Sequence, residues 1–133
     1  MAEFTVGDIV AERTVHLTRE SLVRYAGASG DFNPIHYRDD VAASVGLPGV
    51  LAHGMLTMGI ASSVVVAALP ADARLLDYGV RFTKPVVVDP ETGADVHVVA
   101  KVGAVDETSA RIDLTVTFAE KTVLVKAQLR VAL

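Results

Sequence analysis

The sequence predicts an α+β domain in which an antiparallel sheet curls around one long apolar helix. Three observations predict it. A mostly apolar stretch of helical length covers residues 53–69. Four segments rich in Val, Ile and Thr follow it, separated by short polar turns. The chain of 133 residues is one domain's worth, residues 1–133, with enough length for a core without disulfide support.

The elements follow in order. Val6-Gly7-Asp8 reads as a turn before a strand, Ile9–His16. Thr18 stands where a hydroxyl can cap the free N–H groups of a helix, and Leu22, Val23, Tyr25 and Ala26 supply its apolar positions. Gly27 and Gly30 end that helix. Asp31–His36 is irregular, because Pro34 fixes its own φ and pushes Asn33 towards extended backbone. A short helix covers Asp39–Ser44 and stops at Gly46. The apolar helix then ends before Pro70. Its apolar residues go most of the way around, so it is expected to be buried on all sides, with Met55 and Met58 in the core. Strands are expected at Leu76–Val88, Ala94–Val105, Ser109–Ala119 and Thr122–Ala132. Period-2 alternation is clearest over Arg111–Phe118. Short turns between sequential strands favour antiparallel pairing.

Composition narrows function. Twelve Lys and Arg against sixteen Asp and Glu give a net charge of −4, scattered along the chain, which argues against a nucleic-acid partner. There is no cysteine, hence no disulfide framework and no thiolate metal site. The apolar stretch is too short and too polar at its start to span a bilayer. Residues 1–4 show no leader pattern, so a cytoplasmic location is the expectation. An apolar content of 51% also leaves apolar surface for a partner to cover.

Chemistry concentrates in two places. Asp31 and His36 are titratable residues five apart in a loop restrained by Gly30 and Pro34. They read either as an acid–base pair or as caps of neighbouring turns. Ala52-His53-Gly54-Met55 begins the apolar helix, where unpaired N–H groups and the positive end of the helix dipole could receive an oxygen gaining charge. Gly54 has no side chain to obstruct approach. His53 reads as a helix cap or core-edge residue. The set suits loss of water from a β-hydroxyacyl thioester, which needs a base, an acid and a donor for the thioester oxygen.

Tyr25-Ala26-Gly27-Ala28-Ser29-Gly30-Asp31-Phe32-Asn33-Pro34-Ile35-His36, followed by Ala52-His53-Gly54-Met55-Leu56, resembles the MaoC-like dehydratases, or (R)-specific enoyl-thioester hydratases. Tyr78–Val86 is similar to the family's strand after the central helix. The likeness runs from about Thr5 to the C-terminus and is strongest towards the catalytic subunit of actinobacterial (3R)-hydroxyacyl-acyl-carrier-protein dehydratases. It implies a hot dog fold, Asp31 and His36 holding the water that is added or lost, and Gly54 at the oxyanion hole. It also implies a homodimer or a heterodimer with a related subunit. No metal or redox cofactor is implied. Coenzyme A or the phosphopantetheine of an acyl-carrier protein comes as part of the substrate.

The remaining candidates have subordinate readings. Asn33 is expected to stabilise the loop or orient the Asp31 carboxylate. Ser62 either supports the catalytic loop, as the resemblance suggests, or bonds a carbonyl one turn back. Tyr25 reads as packing, and His16 and His97 as incidental. The histidines lack metal-ligand spacing. Arg81 and Lys84, placed on one strand, are solvated or contact phosphopantetheine or an acidic carrier protein. A non-catalytic partner subunit and a hot dog thioesterase are the alternative functions.

Overall fold

The computed structural model describes residues 3–133. Met1 and Ala2, part of the stretch read for a leader, lie outside the described residues. The strands are β1 (Ile9–Leu17), β2 (Leu75–Phe82), β3 (Ala94–Val105), β4 (Ser109–Phe118) and β5 (Lys121–Ala132). They form one antiparallel sheet in the order β1-β3-β4-β5-β2. The helices are α1 (Arg19–Ser29), α2 (Asp39–Ser44) and α3 (Gly54–Ala68), with a 3₁₀ turn at Pro34–His36.

Local chemistry sets the boundaries. Thr18 and Ser21 form a reciprocal capping box at the start of α1. Gly30 ends that helix with φ of 76°, a left-handed conformation that suits glycine. In β3 the residues Ala94, Val96, Val98, Ala100 and Val102 are buried, and in β4 Ala110, Ile112, Leu114 and Val116 are. This is the alternation of a sheet with one face on the core. Ala61, Val64 and Val65 of α3 pack in the same core.

Strand β5 contains a bulge. Between Ala127 and Leu124 it takes three steps where β4 takes two, and between Gln128 and Val125 it does the same against β2. Lys126 sits at the bulge with φ of 48°. The extra residue bends the sheet and increases its twist, which helps it curve about α3. Tyr78 of β2 then ties the sheet's edge to α3, donating its hydroxyl to the Met58 carbonyl at 2.7 Å. Burial pushes the Tyr78 pKa up to about 12.

Two expectations about these elements are corrected. The strand foreseen as Leu76–Val88 leaves the sheet after Phe82, because Pro85 brings no N–H to a ladder. Residues 86–88 instead run beside residues 50–52, through Ala52 N–H to Val86 O, Val88 N–H to Val50 O and a Leu51–Val87 bridge. Lys84 therefore lies beyond the strand that carries Arg81. Helix α3 is buried on one face only. Thr57, Ala61, Val64 and Val65 are inside, whereas Met55 is 59% exposed and Val66 is exposed too. A five-stranded open sheet covers a single side of the helix. Met55 is thus not core.

His16 and His97 face carboxylates across the β1–β3 pair: His16 Nδ1 lies 2.6 Å from Asp95 Oδ1, and His97 Nε2 3.0 Å from Glu12 Oε1. Both pairs are solvent-accessible and remote in sequence, which is why no partner was visible locally. Among the described residues no helix is long and apolar enough to cross a membrane.

Candidate active site

The segment between α1 and α2 places the acid–base candidates. Asp31 follows the left-handed Gly30, and its Oδ1 accepts the Asn33 N–H at 3.2 Å. The Asn33 side chain accepts the Ile35 N–H at 3.2 Å and so starts the Pro34–His36 turn. Of its two foreseen roles, the Asn33 amide takes the loop-stabilising one, while its backbone N–H holds the Asp31 carboxylate. The turn brings His36 back towards Asp31, leaving His36 Nε2 3.9 Å from Asp31 Oδ2. His36 is nearly buried and the Asp31 side chain is 51% exposed.

The His36 tautomer follows from its other nitrogen. Nδ1 lies 2.7 Å from the Leu51 carbonyl oxygen. A carbonyl only accepts, so Nδ1 carries the hydrogen. In the neutral ring Nε2 then has a free lone pair on the Asp31 side. Leu51 itself is fixed, its N–H donating to Ile35 O. Arg19 braces the same region from behind, donating to Val88 O and forking onto Asp39 at 2.9 and 3.2 Å. That hydrogen-bonded pairing holds the Asp39 carboxyl below the usual carboxylate range.

His53 occupies the N-cap position of α3, its carbonyl accepting from Leu56 and Thr57, but its ring makes no capping bond and is 1% exposed. Its ring stacks on His36 with centroids 3.8 Å apart and planes 22° apart, and Tyr25 meets it edge-on at 4.8 Å. Its Nε2 lies 3.2 Å from the Asp31 carbonyl oxygen and must donate to it. Burial lowers the His53 pKa, and repulsion from His36 adds to the effect against the raising influence of the Asp31 carbonyl. His53 is therefore held neutral.

Gly54 opens α3, and its N–H has no acceptor within the helix. It lines a cavity of about 330 Å³ together with His36, Thr57, Phe82, Lys84 and Leu124. A Cβ on Gly54 would lie 3.0 Å from the Phe82 ring, so glycine is what lets that ring lie close over the helix start without shifting. Lys84 thus shares a cavity with His36 and Gly54, while Arg81 is exposed on β2 and does not line it. Ser62 donates to Gly59 O at 3.0 Å, the helix-internal member of its two foreseen roles.

Sequence reasoning missed Thr57 and Phe82 as lining residues. Phe82 stands within the Tyr78–Val86 stretch between Arg81 and Lys84, and nothing in that local pattern marks it as a cavity wall. It also missed that Asp31, His36 and His53 bring ligand atoms within 4.8 Å of one another. That cluster suits a metal poorly. Stacked imidazoles point their in-plane lone pairs side by side rather than at one ion, and His36 Nδ1 and His53 Nε2 are occupied by carbonyls.

Comparison with known proteins agrees with this architecture. A 3-hydroxyacyl-thioester dehydratase X from Mycobacterium tuberculosis is 38% identical over 79 residues, 59% of this chain and 27% of that protein. An (R)-specific enoyl-CoA hydratase from Rhodospirillum rubrum is 30% identical over 83 residues, 62% of this chain and 58% of that one. The matches thus span between about a quarter and three-fifths of these relatives' lengths. A solved MaoC-like dehydratase superposes with a TM-score of 0.88 at 32% identity, over 98% of this chain and 40% of that one. The ChsH1–ChsH2 complex from Mycobacterium tuberculosis superposes with a TM-score of 0.87, over 98% of this chain and 99% of that one, at 18% identity, a likeness of fold alone. The architecture is the hot dog fold, an antiparallel sheet packed on a central helix. The family model for the MaoC like domain matches residues 4–123, and the chain belongs to that family.

Proposed function

We propose that this chain catalyses the reversible addition of water to enoyl thioesters, giving (3R)-hydroxyacyl thioesters, in fatty-acyl metabolism. The observation that carries the reading is the Asp31–His36 pair. Oδ2 and Nε2 stand 3.9 Å apart with the Nε2 lone pair free, because Nδ1–H is committed to Leu51 O. Two hydrogen bonds of about 2.8 Å to a single water would meet at roughly 90° across that gap.

In the hydration direction His36 Nε2 takes a proton from the water as its oxygen bonds to C3. The electron pair of the C2–C3 double bond moves into the thioester, whose oxygen becomes an enolate facing the Gly54 N–H. The imidazolium, close to the Asp31 carboxylate, then returns a proton to C2. One group taking and returning the proton from one side gives syn addition. Dehydration runs the same steps backwards. General acid–base catalysis of this kind contributes about 10²–10⁴ in rate, and one oxyanion donor about 10²–10³. The thiol carrier, coenzyme A or a carrier-protein phosphopantetheine, belongs to the substrate, and these steps call on no resident cofactor. Lys84, on the wall of the cavity, is the candidate contact for the carrier's phosphate. Arg81 is the more distant candidate, suited only to a carrier protein's acidic surface.

A second hot dog subunit, identical or related, is the proposed partner. The exposed apolar residues of α3 and the unpaired edge of β2 support this. The solved complex of two named chains that shares this fold is a precedent for the related-subunit case.

The test is hydration of crotonyl-coenzyme A, followed by loss of the enoyl-thioester absorbance. Wild type is expected to turn over, with Asp31→Asn and His36→Gln each reducing kcat by about 10²–10⁴. An inactive wild type, alone and with a candidate partner subunit, would sink the proposal. Release of free thiol from acyl-coenzyme A would indicate a thioesterase instead.

A further inference from the structure

His53 is buried to 1% exposure, yet one of its ring nitrogens bonds to nothing. The Asp31 carbonyl takes the hydrogen of Nε2, so Nδ1 is a bare lone pair. Among the described residues that atom has no partner. Buried acceptors without partners are uncommon and costly. A phenyl ring would fill the same space, edge-on to Tyr25 and face-on to His36, without one. What a phenyl ring cannot do is donate to the Asp31 carbonyl.

That single donation has a distinct place in the loop. The far end of the segment is fastened by Ile35 O and His36 Nδ1, both bonded to Leu51. The near end is different. Asp31 is otherwise held by the hydroxyl of Ser29, at the exposed end of α1, on its N–H at 3.1 Å and by the Asn33 N–H on its carboxylate at 3.2 Å. Among the described residues, the His53 Nε2–H is the side-chain bond that fastens Asp31 to the rigid start of α3. The same ring lies flat against His36 at 3.8 Å and sets its plane.

We propose that His53 is a positioning residue, which fixes the Asp31 peptide through Nε2–H and the His36 ring through its face, and so sets the gap between Oδ2 and Nε2. The inference rests on the hydratase reading and deepens it. A neutral partner is needed there, since a second charged imidazole would repel the imidazolium that forms on His36. Burial keeps His53 in that uncharged state. The fold thus keeps an unsatisfied nitrogen because the opposite nitrogen aligns the pair.

The experiment compares His53→Phe, His53→Gln and His53→Asn in the full chain, measuring thermal midpoint, kcat and KM for crotonyl-coenzyme A. His53→Phe is expected to keep or raise the thermal midpoint while kcat falls about 10–100-fold, as loss of alignment alone can do, with KM within about threefold. A glutamine amide reaches the place of Nε2 and is expected to recover most of kcat. An asparagine amide reaches only the place of Nδ1 and is expected not to. Wild-type kcat in His53→Phe would overturn the inference. So would a joint fall of kcat and thermal midpoint in His53→Phe without recovery by His53→Gln, because that pattern describes packing. An inactive wild type overturns the hydratase reading itself, and the inference with it.

Discussion

Replacing Gly54 by Ala probes the oxyanion assignment with a single methyl group. The new Cβ would stand 3.0 Å from Phe82 Cε1 and 3.3 Å from Cδ1. Those atoms belong to a side chain 54% exposed on an edge strand, so the ring can yield by a few tenths of an ångström. Alanine is also the better helix former, by roughly 1 kcal/mol in a helix interior and by less at a first position such as Gly54. Folding is therefore expected to be unharmed, with a thermal midpoint equal to wild type or higher. Catalysis should respond differently. The methyl group occupies the approach to the Gly54 N–H, and keeping the thioester oxygen off that donor is expected to lower kcat by about 10²–10³, equivalent to about 2.7–4 kcal/mol of transition-state stabilisation. Steady-state hydration of crotonyl-coenzyme A, beside a melt of the same preparation, reads both quantities. Phe82→Ala in the Gly54→Ala background separates two causes. If the displaced ring obstructs the site, activity returns; if the methyl group blocks the donor, it does not, and the second outcome is expected. Gly54→Ala with kcat within threefold of wild type would refute the assignment of this N–H to the oxyanion.

The remaining expectations concern stability and the carrier. The β4–β5 turn places Ala119 and Glu120 at φ of 50° and 63°, where L-residues pay about 1–2 kcal/mol each. Ala119→Asn with Glu120→Gly, the pair favoured in two-residue hairpin turns, should add about 1–2 kcal/mol and raise Tm by ~3–7 °C; an unchanged or lower Tm would contradict that reading. The His53 pKa lies below its ordinary value near 6.5, so the unfolded chain binds the proton more readily. Stability from this group is present above pH ~6.5 and is lost as pH falls from there through the depressed folded value, at a slope of up to about 1.4 kcal/mol per pH unit. Denaturant titrations across pH 5–8 should show this slope reduced in His53→Phe, and an identical slope in both proteins would refute the assignment. Lys84→Glu is expected to raise KM for crotonyl-coenzyme A at least several-fold with kcat little changed, while Arg81→Glu leaves both near wild type; unchanged KM in Lys84→Glu would remove that residue from carrier recognition.

Much of this arrangement is legible in the sequence because it depends on short-range rules. Thr18, Gly30 and the alternation over Arg111–Phe118 each act within a few residues, and the structure follows them. Asp31 and His36 could be paired in advance because Asn33 and Pro34 sit between them and make the turn. Contacts with the backbone of distant segments were not legible. The Leu51 carbonyl that sets the His36 tautomer has no side-chain signature, and neither does the Asp31 carbonyl that receives His53. The one-sided burial of α3 was hidden for a related reason. An apolar sequence records what a surface prefers to touch, and it does not separate its own sheet from another subunit. The early end of β2 was visible in Pro85, but the apolar run of Val86–Val88 continued the strand pattern past it.

The bulge at Lys126 makes β5 sensitive to counting rather than to chemistry. Val123 and Leu124 are buried before it, and Ala127, Leu129 and Val131 are buried after it. Leu124 falls on the opposite parity to the three buried positions after the bulge, and the additional residue is what lets it face inward with them, while Val123 sits at a second register shift, between the Val116–Leu124 and Thr117–Thr122 pairs. Lys126 itself is exposed, so many substitutions there should pass unnoticed. Removing the residue is another matter, for it would rotate one half of the strand by a full side-chain alternation and turn either Leu124 or the set Ala127, Leu129 and Val131 to the solvent. A library of point deletions along β5 would thus register a sharp intolerance at a position that a library of point substitutions reports as permissive.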